Sequence, residues 1–178
     1  MSRINDETRR ALVTYVIDSV GRERSVGKKA IQKYIHLVED AAKVATGYDF
    51  AIYTYGPFSR ALATELDSLD TIKAISVTYD PERGAFDISP GENAQKVIAR
   101  GTLYISKNRA KIDNILFALK GKSAWELELY STLVFLKSHV EELKSDSDVV
   151  NKLLSLKPKY PKEKVEKTLE EAKALMHQ

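Results

Sequence analysis

Cysteine is absent from this sequence, which excludes disulfide bridges, thiolate nucleophiles, zinc ribbons and iron–sulfur clusters together. Long apolar runs are also absent. No segment approaches the ~20 apolar residues of a membrane span, and the start MSRINDETRR has no apolar signal core. These absences predict a cytoplasmic protein that does not contact a membrane. The 178 residues allow one well-buried core and are too few for two ordinary domains.

Motifs of catalysis and metal binding are missing as well. The sequence contains no GxSxG, HExxH, GxGxxG or complete P-loop. Its three histidines are His36, His139 and His177. His36 precedes Glu39 and Asp40 by three and four residues, and this spacing predicts an exposed hydrogen bond on a helix surface rather than a metal site. His139 is predicted to be half-buried at the edge of its helix. We therefore predict no catalytic residue, no metal and no cofactor, and a protein that is not an enzyme.

Apolar residues recur at spacings of three and four along most of the chain, as in helices with one buried face. Asn5 or Asp6 is placed to cap the first helix, and Ser25 to cap the second. In the sixth, Trp125 is expected on the apolar face. The pattern predicts helices near 6–20, 27–45, 58–70, 92–105, 108–119, 123–143, 148–156 and 161–176.

Two segments change to the pattern of strands. Residues 50–55 are β-branched and aromatic and end at Gly56-Pro57, which predicts one short strand. Residues 73–88 alternate around the turn sequence DPERG, which predicts a β-hairpin. The fold class is therefore mainly α with a small β element. We predict one domain, 1–178, with a winged-helix-like half at 1–90 and a helical half at 91–178.

The segment around Gly56 has a predicted structural role. Glycine can adopt a backbone conformation at the strand end that other residues avoid, and Pro57 is suited to the first turn of the next helix. Ser59 is expected to offer its hydroxyl to a free backbone amide of that helix. Tyr48, Tyr53 and Tyr55 flank the strand and are expected to pack in the core.

The segments KAIQKYIHL at 29–37 and YTYGPFS at 53–59 carry a family resemblance, and WELELYSTL at 125–133 and the lysine-proline stretch from 156 extend it. Together they resemble the YwgA-like family of uncharacterised prokaryotic proteins. More distantly they are similar to the Panacea (SocA-type) domain of phage-associated proteins and antitoxins. The resemblance implies a winged-helix-like N-terminal half and a helical C-terminal half, and it implies no activity.

A partner-binding surface is predicted where the resemblance is strongest. Lys29, Gln32 and Lys33 lie on a helix face opposite the apolar positions, so we expect their polar ends to be free. A surface acid, a phosphate or another protein could neutralise the two lysines. The candidate partner-binding residues are Lys29, Gln32, Lys33, Tyr55, Gly56, Pro57, Phe58 and Ser59. The leading hypothesis is an antitoxin-like adaptor or regulator with a protein partner, and a homodimer stays open.

Charge is uneven along the chain and gives an alternative hypothesis. Residues 93–122 carry seven basic residues against one acidic residue, whereas 35–92 carry four against ten. This pattern predicts solvated helix faces. The alternative is a winged-helix regulator that binds nucleic acid, less expected because the helix from Phe58 becomes acidic toward its end. Its candidate residues are Arg60, Arg83, Lys96, Arg100, Lys107 and Lys111, with a bend near Ser106 deciding whether the last four converge.

Overall fold

The computed structural model describes residues 4–22, 26–82 and 84–177. Of these residues, 62% are helical and 12% lie in antiparallel strands. The predicted fold class, mainly α with a small β element, is confirmed. The helices are α1 (Asp6–Gly21), α2 (Lys28–Asp40), α3 (Arg60–Thr71), α4 (Ala94–Ala99), α5 (Thr102–Ala118), α6 (Ala124–His139), α7 (Asp146–Leu156) and α8 (Lys162–Met176). The strands are β1 (Val26–Gly27), β2 (Ala51–Tyr53), β3 (Gly56–Phe58), β4 (Ile75–Asp80) and β5 (Ala85–Pro90).

The larger sheet has the strand order β1-β5-β4. β4 and β5 pair antiparallel along their whole length, which confirms the predicted hairpin with its arms two residues further along the chain. β1 pairs antiparallel with β5. Ser25, the predicted cap of α2, lies outside the described residues, and the N-cap position is occupied by Gly27. Arg83, predicted at the hairpin tip, also lies outside them.

The segment 50–58 differs from its prediction. It is a tight hairpin of β2 and β3, in which Tyr53 pairs with Gly56, rather than one strand ending at Gly56. Gly56 has a φ of +79°, the left-handed conformation that favours glycine, as predicted. Pro57 therefore lies in β3 and not in the first turn of α3. Ser59 caps α3, because its Oγ accepts a hydrogen bond from the Leu62 N–H at 3.4 Å.

Three other helix boundaries were predicted wrongly. α2 ends at Asp40 rather than near 45, and α6 ends at His139 rather than near 143. The break between α4 and α5 falls at Arg100-Gly101 rather than near Ser106. A Cβ on Gly101 would lie 2.5 Å from the Ala11 Cβ of α1, so the chain passes α1 where only glycine fits. Lys107 and Lys111 are therefore one turn apart on a single helix, α5.

The core consists of two apolar clusters. The larger one joins α1, α2, α3, the sheet and α5 to the inner faces of α6 and α8. α2 lies at its centre, and most of its residues are buried on every side. The smaller cluster lies between α6, α7 and α8. Trp125, predicted on the apolar face of α6, is 38% exposed and packs against Tyr160 with ring centroids 4.3 Å apart.

Candidate functional site

A groove lies between the N-terminal half of α2, the β2–β3 hairpin and α3. Its volume is about 350 Å³, at the lower end of the range for ligand pockets. Six of the eight candidate partner-binding residues line it. The remaining two, Pro57 and Ser59, are not part of the lining, but their carbonyl groups accept hydrogen bonds from Lys33 and Gln32. The lining residues are Lys28, Lys29, Gln32, Lys33, Tyr53, Thr54, Tyr55, Gly56, Phe58, Ala63, Leu66 and Asp67.

Gln32 attaches α2 to the start of α3. Its Nε2 donates a hydrogen bond to the Ser59 carbonyl at 3.0 Å, and its Oε1 accepts one from the Ser59 N–H at 2.9 Å. Both residues are buried. The expectation that the polar end of Gln32 is free is therefore wrong, because the amide satisfies two buried backbone groups.

Lys33 is buried too, with 3% of its surface exposed. Its Nζ donates a hydrogen bond to the Pro57 carbonyl at 2.6 Å. It forms no ion pair with a carboxylate among the described residues. The polar end of Lys33 is therefore neither free, as predicted, nor neutralised by an acidic residue of the surface. Burial lowers the pKa of Lys33 to about 8, and the positive charges of Lys157 and Lys29 act in the same direction, whereas Glu128 opposes them.

α6 and the chain after α7 close the back of the hairpin. Lys157, also buried, donates to Glu128 Oε1 at 2.7 Å and to the Thr54 carbonyl at 2.8 Å. Lys159 approaches the same carboxylate oxygen at 3.3 Å. Burial alone would raise the pKa of Glu128, but the two lysines outweigh it and hold that pKa below its usual range. Sequence reasoning missed this network, since the residues lie more than 25 positions apart.

Tyrosines form the mouth of the groove. Tyr48 is buried as predicted, but Tyr53 and Tyr55 are 54% and 51% exposed, so the prediction that they pack in the core is wrong. Tyr53 is the last residue of β2, and Tyr55 lies in the two-residue turn that leads to β3. The Lys29 Nζ lies 3.5 Å from the centre of the Tyr55 ring, a cation–π contact. The edge of Phe58 packs against Tyr53 with centroids 5.4 Å apart.

The aromatic surface continues onto the β4–β5 hairpin. Lys28 forms an ion pair with Asp67 at 2.8 Å, and its Nζ lies 5.1 Å from the centre of the Phe86 ring. Phe86 and Tyr79 pack together 5.1 Å apart and are 48% and 57% exposed. Lys28 thus connects the groove to a second pair of exposed aromatic rings.

The residues predicted for nucleic acid are distributed over three helices. Arg60 is exposed at the start of α3. On α4, Lys96 donates to Asn93, and at its C-cap Arg100 lies 3.5 Å from Glu7. Lys107 and Lys111 are exposed on α5. Arg83 lies outside the described residues.

His36 and His139 both contact the carboxylate of Asp40, His36 from the core and His139 from the edge of α6. His36 is fully buried, so its predicted exposed position is wrong. Its Nδ1 lies 2.9 Å from the Ser131 Oγ, and its Nε2 lies 3.0 Å from an Asp40 oxygen that also contacts His139 at 2.6 Å. His139 is about half exposed at the edge of α6, as predicted. Burial lowers the pKa of His36. Glu39 takes no part, since its carboxylate accepts from Thr46.

A second cavity, of about 540 Å³, lies between α1, α2 and α5. Its polar groups already bond to one another: the Tyr15 hydroxyl donates to Asp113 at 2.5 Å, and Arg109 donates to the other oxygen of that carboxylate at 3.3 Å. The groove beside the β2–β3 hairpin is the better candidate because two of its lysines, Lys29 and Lys33, have no carboxylate partner among the described residues.

No protein-family model and no curated protein sequence matches the chain. Within 4–22, 26–82 and 84–177, no cluster of three or more histidine, aspartate or glutamate side chains could hold a metal ion. The helices of the same ranges also lack the combined length and apolar character that crossing a bilayer requires.

Proposed function

We propose that this chain is a non-enzymatic adaptor or regulatory protein that binds a protein partner in the groove beside the β2–β3 hairpin. The observation that carries the proposal is the pair of half-exposed tyrosines, Tyr53 and Tyr55, at the mouth of an apolar groove. Tyrosine is enriched at protein interfaces, where its large rigid ring adds contact area at low entropic cost.

The charges around the groove indicate the chemistry of the partner. Lys28 and Asp67 neutralise each other. Lys29 and Lys33 remain without a carboxylate partner among the described residues, which leaves the groove positive. We infer an acidic segment of a partner that places one apolar side chain, such as leucine or phenylalanine, in the cavity. Complementary charge would speed its association and fix its orientation.

The family resemblance supports the same assignment. The segments 29–37 and 53–59 that resemble the YwgA-like and Panacea families are the segments that build the groove. The Panacea-type domain, which the chain resembles more distantly, occurs in phage-associated proteins and antitoxins. The resemblance and the exposed tyrosines therefore favour one surface and one kind of partner.

Selection of peptides from a random displayed library on the purified protein tests this proposal. We expect enrichment of peptides in which aspartate or glutamate flanks one large apolar residue. Selected peptides should bind Tyr55→Ala and Lys29→Glu at least tenfold more weakly than the unchanged protein. Leu103→Ala is the matched control, because Leu103 is 90% exposed on α5, a different element. Enrichment of basic peptides, or equal binding by Lys29→Glu, would contradict the proposal.

A winged-helix regulator that binds nucleic acid is the second candidate. Its support is the element order α1-β1-α2-α3-β4-β5 with the sheet order β1-β5-β4, the order expected of a winged helix with the β2–β3 hairpin inserted. α3, which would enter the groove of DNA, carries the exposed Asp67 and the partly exposed Asp70, and such acids oppose contact with phosphates. Glu65 adds nothing to this, because it is buried and paired with Arg9 and Arg10. We expect no sub-micromolar, salt-sensitive binding of duplex DNA in an electrophoretic shift assay at physiological ionic strength. Such binding would make this candidate the leading one.

A further inference from the structure

The lining of the groove includes a primary amine in an unusual environment. Lys33 lines the groove from α2 and is buried. The described residues supply its ammonium with one short hydrogen bond, to the Pro57 carbonyl, and with no carboxylate within ion-pair distance. Most lysines in proteins keep their charged end in water. A lysine that lines a groove with so few partners is therefore the group to test for reactivity there.

The charged groups around Lys33 come from four elements. Lys29 lies on its own helix and Lys157 follows α7, and both disfavour a further positive charge. Glu128 on α6 favours that charge but is already bonded to Lys157. Asp67 on α3 pairs with Lys28. Desolvation is the largest effect and brings the pKa of Lys33 to about 8, so about a tenth of the amine is neutral at pH 7 and about half at pH 8.

We propose that Lys33 is a reactive amine that condenses reversibly with an aldehyde bound in the groove. The neutral nitrogen attacks the carbonyl carbon and forms a carbinolamine. The carbinolamine loses its hydroxyl group together with the last amine proton as water, which leaves a C=N bond. The step consumes no oxidant or reductant. A lysine that is desolvated in an apolar pocket beside other cations is activated in the way that such chemistry requires.

The walls of the groove define the class of aldehyde. Tyr53, Phe58 and Leu66 offer apolar surface on which a flat ring can lie. Lys29 stands at the mouth without a carboxylate partner among the described residues and suits a carboxylate or phosphate group on the same compound. The ligand class is therefore a small anionic aromatic aldehyde. This inference goes beyond the proposed partner and does not rest on it.

Trapping with 4-carboxybenzaldehyde and sodium cyanoborohydride, followed by peptide mass spectrometry at early times, tests the inference. At pH 8 about half of a lysine population with a pKa near 8 is neutral, against about 0.4% for a lysine of ordinary pKa, roughly 100-fold less. Allowing for restricted access, we expect Lys33 to be modified at least about tenfold faster than the exposed Lys107 and Lys111 in the same sample. Its rate should level off above pH 8, whereas the rate of a lysine of ordinary pKa continues to rise.

Two variants and one condition distinguish reactivity from a merely structural role. Lys29→Gln removes a neighbouring cation and should move the pH midpoint of Lys33 upward without changing Lys107. Lys33→Arg should remove the fast adduct and leave the slow ones. In urea, all lysines should react alike. Modification of Lys33 at or below the rate of Lys107 in the folded protein overturns the inference, and so does a Lys33 rate that still rises at pH 10. Peptide binding is measured separately, so either proposal can fail alone.

Discussion

Replacing Gly56 by alanine tests how closely the β2–β3 hairpin approaches α6. Gly56 has a φ of +79°, which costs a residue with a Cβ about 1–2 kcal/mol. An added Cβ would also lie 2.7 Å from the Thr132 Oγ1, which donates a hydrogen bond to the Glu128 carbonyl at 2.7 Å. If Thr132 moves away, that buried bond is lost, at a net cost of about 0.5–1.5 kcal/mol. The expected total for Gly56→Ala is therefore about 1.5–3.5 kcal/mol.

Gly121 provides a matched control. It has the same φ of +79°, but an added Cβ would meet nothing within 4 Å. Gly121→Ala should therefore cost about 1–2 kcal/mol, the backbone part alone. Urea denaturation with linear extrapolation measures both free energies of unfolding, and 1 kcal/mol corresponds to a Tm change of about 2–4 °C in a chain of this length. Equal costs for the two variants would refute the close approach, and a Gly56→Ala variant as stable as the unchanged protein would refute the backbone argument as well.

Three further predictions follow from the buried polar groups. Gln32→Leu should lower the free energy of unfolding by about 1–3 kcal/mol, because it leaves the Ser59 N–H buried without a partner, whereas the Ser59 carbonyl keeps its bond from the Ala63 N–H; no loss in urea denaturation would contradict this reading. Because burial lowers the pKa of His36, only the unfolded chain takes up its proton as the pH falls below about 6.5, so stability should decrease by at most about 1.4 kcal/mol per pH unit. Denaturation at pH 7.5, 6.5 and 5.5 checks this, and His36→Leu should remove that part of the dependence. Lys157→Met should cost about 2–4 kcal/mol, less than a fully uncompensated buried charge since Lys159 stays beside Glu128, and Glu128→Gln in the same chain should recover part of the loss.

Local patterns in the sequence were sufficient for most elements. The helices near 6–20, 58–70 and 161–176 and the β4–β5 hairpin follow from apolar spacing and turn residues, which act over a few positions. The wrong boundaries depend on contacts between distant segments. The break at Gly101 follows from the passage of the chain across Ala11 on α1, 90 positions earlier, and no local pattern contains that information.

The sequence identified most of the residues of the candidate site, but it did not predict which of them are buried or what they bond to. The segments that build the groove were identified, but Gln32 and Lys33 were expected in water because the face opposite an apolar stripe is normally solvated. α2 is buried on every side, since α6 and the β2–β3 hairpin cover the face that α1 and α5 leave open. The apolar pattern of one helix does not show that other elements will also cover its polar face. The elements that do so here follow 15 to 100 residues later in the chain.

The β2–β3 hairpin is fixed mainly through its backbone. Lys33 bonds to the Pro57 carbonyl and Lys157 to the Thr54 carbonyl, and Gly56 approaches α6 because it lacks a side chain. None of these contacts depends on the rings of Tyr53 and Tyr55. Large aromatic rings that the fold does not need are costly to leave in water, and paired exposure beside an apolar groove is typical of a binding surface. Tyr55 is therefore a more discriminating position for partner binding than Gln32 or Lys33, whose replacement would disturb the fold and the groove together.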